Sequence, residues 1–128
     1  MALSNLVKGD DWKFTGEVLK PDGLPQDITG GTAWITFKTD VSDTDANAVF
    51  QKKIATIPAT DANGTAAVSG IVVLVAAWDD AATSPPDNTM VATGNYSYDF
   101  QYLHTDGSIT TIEIGKVTVI AQVTEATS

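Results

Sequence analysis

The chain has no cysteine, no arginine and a single histidine among its 128 residues. The absence of Cys removes a disulfide framework, thiolate catalysis and Cys-ligated zinc. Without Arg, all seven cations are Lys, and no guanidinium fork is available for bidentate phosphate or guanine contacts. Sixteen acidic residues bring the net charge to −9, so nucleic acid is not an expected partner. One imidazole cannot build a multi-His metal centre, and His104 falls just before a turn, where exposed polar side chains are common. Long apolar runs are also missing. The longest, Ile71 to Trp78, has eight residues and ends at Asp79-Asp80, whereas a spanning helix needs about 20. That run reads as a buried strand, and no membrane partner is expected. The start, Met-Ala-Leu-Ser-Asn-Leu-Val-Lys, lacks a basic region ahead of an apolar stretch, so the expectation is a protein made and kept in the cytoplasm of its producer.

Leucine is scarce too, with 6 residues against 18 Thr, 12 Val and 9 Ile. Those 39 β-branched side chains suit pleated sheets rather than helix seams. The clearest stretch runs from Gly94 to Thr118. Tyr96, Tyr98, Phe100 and Tyr102 recur at every second position, which is the period of a strand with one buried face. Thr105-Asp106-Gly107-Ser108 then supplies a hairpin turn, with Gly to take a positive φ. A return strand follows with Ile112 and Ile114 on one face, and a separate last strand is read over Lys116 to Val123.

Upstream, Trp12, Phe14 and Val18 alternate with polar residues, and Lys20-Pro21-Asp22-Gly23 closes that strand. Ala33, Ile35 and Phe37 face one way from a strand over Thr32 to Thr39, and Trp34, Thr36 and Lys38 face the other. Asp40 to Asn47 is too acidic for a strand and reads as a loop. Strands are further expected over Val49 to Thr56 and Thr65 to Ser69. Asp79 to Thr93, with its adjacent prolines, reads as a long connection crossing between sheets. The expected fold is a single all-β domain over 1–128, an immunoglobulin-like antiparallel β-sandwich of about seven or eight strands. A frayed tail is expected at 124–128.

Chemistry is sparse in this sequence. It has no Gly-x-Ser-x-Gly elbow, phosphate-binding Gly-rich loop or His-Glu pair at helical spacing, so no enzyme and no cofactor are expected. Asp43, Asp45 and Asn47 match the opening of a calcium loop, but position six is Ala48 and position twelve is Ile54 where Gly and Glu belong, leaving weak metal candidates. Trp12, Trp34 and Trp78 invite a sugar-stacking reading, yet each sits in or beside an expected strand. An N-terminal arm over residues 1–8 carries Leu3, Leu6 and Val7 with no evident sheet partner, and these are the expected interface residues.

The order of Gly9-Asp10-Asp11-Trp12-Lys13-Phe14, Pro21-Asp22-Gly23, Asp27-Ile28-Thr29-Gly30, Ile35-Thr36-Phe37-Lys38, Phe50-Gln51-Lys52, Gly94 to Gln101 and Gly115-Lys116-Val117-Thr118-Val119 resembles small immunoglobulin-like proteins of tailed bacteriophages. It is similar over nearly the whole chain to the N-terminal domains of upper baseplate proteins. That resemblance implies a non-enzymatic virion structural protein, most naturally a tail or baseplate component, alternatively a capsid decoration or head-tail connection protein. It also implies other virion proteins as partners, homo-oligomerisation, and a place in the virion after synthesis in the host cytoplasm. A carbohydrate- or calcium-binding module is the alternative of a different class.

Overall fold

The computed structural model describes residues 5–39, 48–61, 64–80 and 83–121. Among these lie seven strands, β1 (Asn5–Val7), β2 (Trp12–Glu17), β3 (Thr32–Lys38), β4 (Phe50–Ile54), β5 (Ile71–Ala76), β6 (Gly94–Leu103) and β7 (Ile109–Ile120). They form a five-stranded sheet in the order β1-β7-β6-β3-β4 and a two-stranded sheet of β2 and β5. All pairings are antiparallel except that of β1 with β7. The architecture is an all-β, immunoglobulin-like sandwich.

Alternation explains the core. Tyr98, Phe100 and Tyr102 of β6 point inward with 2 % exposure or less, as do Ala33, Ile35 and Phe37 of β3. The facing sheet contributes Trp12 and Phe14 from β2 and Val72, Leu74 and Ala76 from β5. Trp12, Phe14, Phe37, Phe50 and Tyr98 pack as one aromatic cluster, with the Trp12 and Phe50 ring centroids 5.0 Å apart and the Trp12 and Phe37 centroids 6.0 Å apart. Each such buried side chain contributes on the order of 1.5–3 kcal/mol.

Three features differ from the sequence expectation. The return strand and the last strand are one continuous β7, and the pairing register with β6 shifts between Phe100 and Gln101. Phe100 pairs with Glu113 and Gln101 with Thr111, so Ile112 is the extra residue of a bulge. The bulge turns Ile112 onto the core beside Gly16 while Ile114 stays 63 % exposed, so the two isoleucines do not share a face. Thr65 to Ser69 is not a strand, because Ala67–Ser69 winds into a 3-10 turn closed by Gly70 at φ 73°. Finally, the arm is not unpartnered. Leu6 and Val7 belong to β1, paired with Val119 and Ile120 of β7.

The connection from β5 to β6 crosses between the sheets, as expected from its length. It is anchored rather than loose. Asn88, 2 % exposed, accepts from the Gly9 N–H at 2.9 Å and donates its Nδ2 to the Asp10 carbonyl at 2.8 Å, tying the crossover to the β1–β2 link.

Three short turns share one device, in which an Asp carboxylate accepts from the backbone and hydroxyl two residues on. Asp106 Oδ1 takes Ser108 N–H at 2.9 Å and Ser108 Oγ at 2.7 Å. Asp27 with Thr29 and Asp87 with Thr89 repeat it. The side-chain hydroxyl bond, then the backbone bond, holds each of these carboxyls below its ordinary 3.8. A carboxyl depressed by folding contributes stability in full above its unfolded value and loses it as pH falls through the folded one. Asp106→Asn is therefore expected to melt below the native chain at neutral pH, with the gap closing on acidification below about pH 4. Thermal melts of both proteins from about pH 7 to pH 2 check this, and a gap that stays constant contradicts it.

Candidate functional site

The two-stranded sheet holds the most unusual surface. Val72, Leu74 and Ala76 of β5 enter the core, and the intervening Ile71, Val73 and Val75 face outward. Pairing with β2 sets Lys13 opposite Val75, Thr15 opposite Val73 and Glu17 opposite Ile71. The outward row of β5 is thus wholly apolar, with Val75 39 % exposed.

The direction of the backbone groups follows from one hydrogen bond. Val18 N–H donates to the Gly70 carbonyl at 2.8 Å, which makes that pair a hydrogen-bonded one. In an antiparallel ladder such pairs alternate with non-bonded ones, so Gly16–Val72, Phe14–Leu74 and Trp12–Ala76 carry the ladder. The N–H and C=O groups of Ile71, Val73 and Val75 then point away from β2. β5 has no other strand partner among the described residues.

β4 is the nearest element on that side, and an open cleft of about 370 Å³ separates the two strands, lined by Lys52, Lys53, Ile54, Asp61, Val73, Leu74 and Val75. Lys52 is held by Asp80 at 2.6 Å, so its ammonium is committed to the crossover. Lys53 is exposed on the rim. Asp61 accepts from the Thr65 N–H at 2.9 Å and so fixes the opposite rim. Backbone donors and acceptors along an apolar strand, in a cleft with charges of both signs at its rim, can hydrogen-bond an added strand.

Other edges are less open. Gln51 of β4 exchanges backbone hydrogen bonds with Ser84 at 2.9 and 3.0 Å, covering that edge locally. Beside β2, Ile112 comes so near that a Cβ on Gly16 would meet its Cγ2 at 2.5 Å.

The residues singled out from the sequence fall elsewhere. Leu6 packs against the core, and the Val7 carbonyl accepts the Trp12 indole N–H at 2.9 Å, so these two serve the fold of their own chain. Leu3, Asp43, Asp45 and Asn47 lie outside the described residues. Trp12 is core, Trp34 lies half-buried on the outer face of β3, and Trp78 is 43 % exposed. Around Trp34, Thr32, Gln51, Lys53 and Leu103 line a shallow hollow of about 290 Å³. His104 bonds Thr110 Oγ1 at 2.7 Å across the hairpin and packs edge-on to Tyr102, a structural role at the turn. Sequence reasoning recognised the Ile71 to Trp78 run as a strand but gave it no role as an edge. The signal was present in its composition, six apolar residues without a charge, which is rare on a strand left open.

No protein-family model matches the chain, and no curated protein matches it significantly. Among solved structures, the crystal structure of CopC from Methylosinus trichosporium OB3b is similar at 16 % identity and a TM-score of 0.42, over 98 % of this chain and 91 % of that one. The expectation of a bacteriophage virion structural protein is corrected on this finding, since the solved structure that accompanies the fold is CopC and not a virion protein. Tail, baseplate, decoration and connector roles go with it. At this level of likeness no property of CopC is carried over to the chain.

Proposed function

We propose that the chain is a non-catalytic protein-interaction module that accepts an extended strand along the free edge of β5. The observation that carries this reading is the orientation of the Ile71, Val73 and Val75 backbone groups away from β2, toward a cleft without a further strand among the described residues. Strand addition draws its affinity from main-chain hydrogen bonds and its selectivity from the alternate side chains. Here Ile71, Val73 and Val75 supply an apolar outer row for those side chains.

Residue-resolved hydrogen exchange on the dilute monomer tests the reading. The amides of Val72 and Leu74, bonded to β2, are expected to be protected, and those of Val73 and Val75 to exchange by at least about a hundredfold faster. Val73 and Val75 amides as slow as their neighbours would mean a covered edge, and the docking reading would fall.

A further inference from the structure

The free edge of β5 is complementary to itself. We propose that its occupant is β5 of a second copy of this chain, paired antiparallel about a twofold axis through Val73; this rests on the open-edge reading above. In that arrangement Val73 faces its own equivalent, and Ile71 of each copy faces Val75 of the other. These are the residues whose N–H and C=O groups point outward, so each facing pair exchanges both of its hydrogen bonds. The two small sheets become one four-stranded sheet in the order β2-β5-β5-β2.

Three observations favour a second copy over a foreign strand. Ile71–Ala76 carries no charge, so antiparallel self-pairing sets no like charges opposite one another. The outer row of each copy meets the same apolar row of the other, giving β-branched cross-strand pairs. The rim is also ordered for a twofold. Asp61 shares a hollow with Ile71, Val72 and Val73, whereas Lys52 and Lys53 line the cleft beside Val73, Leu74 and Val75. A twofold through Val73 reverses the strand direction, bringing the acidic end of one copy to the basic end of the other. An isologous contact requires this reciprocity.

The net charge of −9 opposes association of two copies, so added salt screens the repulsion and strengthens the dimer. This is the reverse of what an interface held mainly by ion pairs would do.

The absence of cysteine permits a direct test on the full chain. Facing residues of a hydrogen-bonded antiparallel pair have Cα atoms about 5.5 Å apart, within disulfide range. Val73→Cys is expected to form a disulfide dimer under mild oxidation at least about tenfold faster than Val68→Cys, whose site is 64 % exposed and remote from the proposed axis. Sedimentation should give a dimer for the native chain that tightens with salt. Val73→Lys, which places like charges across the axis, should weaken it by at least about tenfold, and mixing Val73→Lys with Val73→Glu should restore it. Circular dichroism and melting confirm that each variant is folded. Equal cross-linking at positions 73 and 68, or a native dimer indifferent to Val73→Lys, overturns the self-pairing. A native monomer at all concentrations with fast Val73 and Val75 amides also overturns it while leaving the open edge standing. Slow amides in that monomer remove both.

Discussion

Trp12→Ala is expected to destabilise the chain by about 3–5 kcal/mol, the range for removing a large aromatic side chain from a packed core. Trp12 is 1 % exposed and lies between Phe37 and Phe50, so the lost volume opens where both sheets meet. Its removal also strands a backbone acceptor. The Val7 carbonyl, which takes the indole N–H at 2.9 Å, lies in β1, so the short first strand loses its tie to the opposite sheet. For a domain of this size the loss corresponds to a fall in melting temperature of about 10–20 °C. Trp12→Phe keeps most of the ring volume but not the hydrogen bond, and about 1–2 kcal/mol is expected. Chemical denaturation of both variants checks the pair. Equal effects would mean that the indole N–H, not the packing, is the larger contribution.

The sequence made the β6–β7 hairpin readable because two local signals coincide there: aromatic alternation over Tyr96 to Tyr102 and an Asp106-Gly107 turn with Gly107 at φ 91°. Such signals need no knowledge of distant residues. Features set by distant partners were not readable. β1 pairs parallel with the far end of the chain, so Leu6 and Val7 looked unpartnered when only their neighbours were considered. The bulge at Ile112 is fixed by registration against Phe100 and Gln101, and it reverses a face assignment that strict alternation predicts.

The same distinction applies to the site. That Ile71 to Ala76 is a strand was evident from composition, but that it has one neighbour rather than two is a property of sheet order. The virion reading failed for a related reason. It drew on the order of turn and strand segments such as Pro21-Asp22-Gly23 and Gly94 to Gln101, which many sandwiches have cause to use.

Gly70→Ala is expected to cost about 2–5 kcal/mol, and it tests the residue that sets the open edge in register. Gly70 sits at φ 73°, where an L side chain costs about 1–2 kcal/mol by itself. The surroundings add a second penalty. A Cβ there would meet the Val18 carbonyl oxygen at 2.5 Å and the Gln26 carbonyl oxygen at 3.0 Å, backbone atoms that cannot rotate away. Relieving that overlap means shifting the strand-end pairing, because the Val18 N–H that donates to the Gly70 carbonyl at 2.8 Å is on the residue being pushed. Gly23→Ala provides the control. Gly23 has a similar φ of 85° and nothing within 4 Å of its added Cβ, so only the conformational term should remain, about 1–2 kcal/mol. The difference between the two variants in denaturant melts isolates the contact with Val18 and Gln26. Because that contact positions the first residue of β5, Gly70→Ala should also slow the Val73→Cys cross-link, whereas Gly23→Ala should leave it unchanged. If both variants lose the same stability and cross-link alike, the tight approach at Gly70 does not control the register of β5.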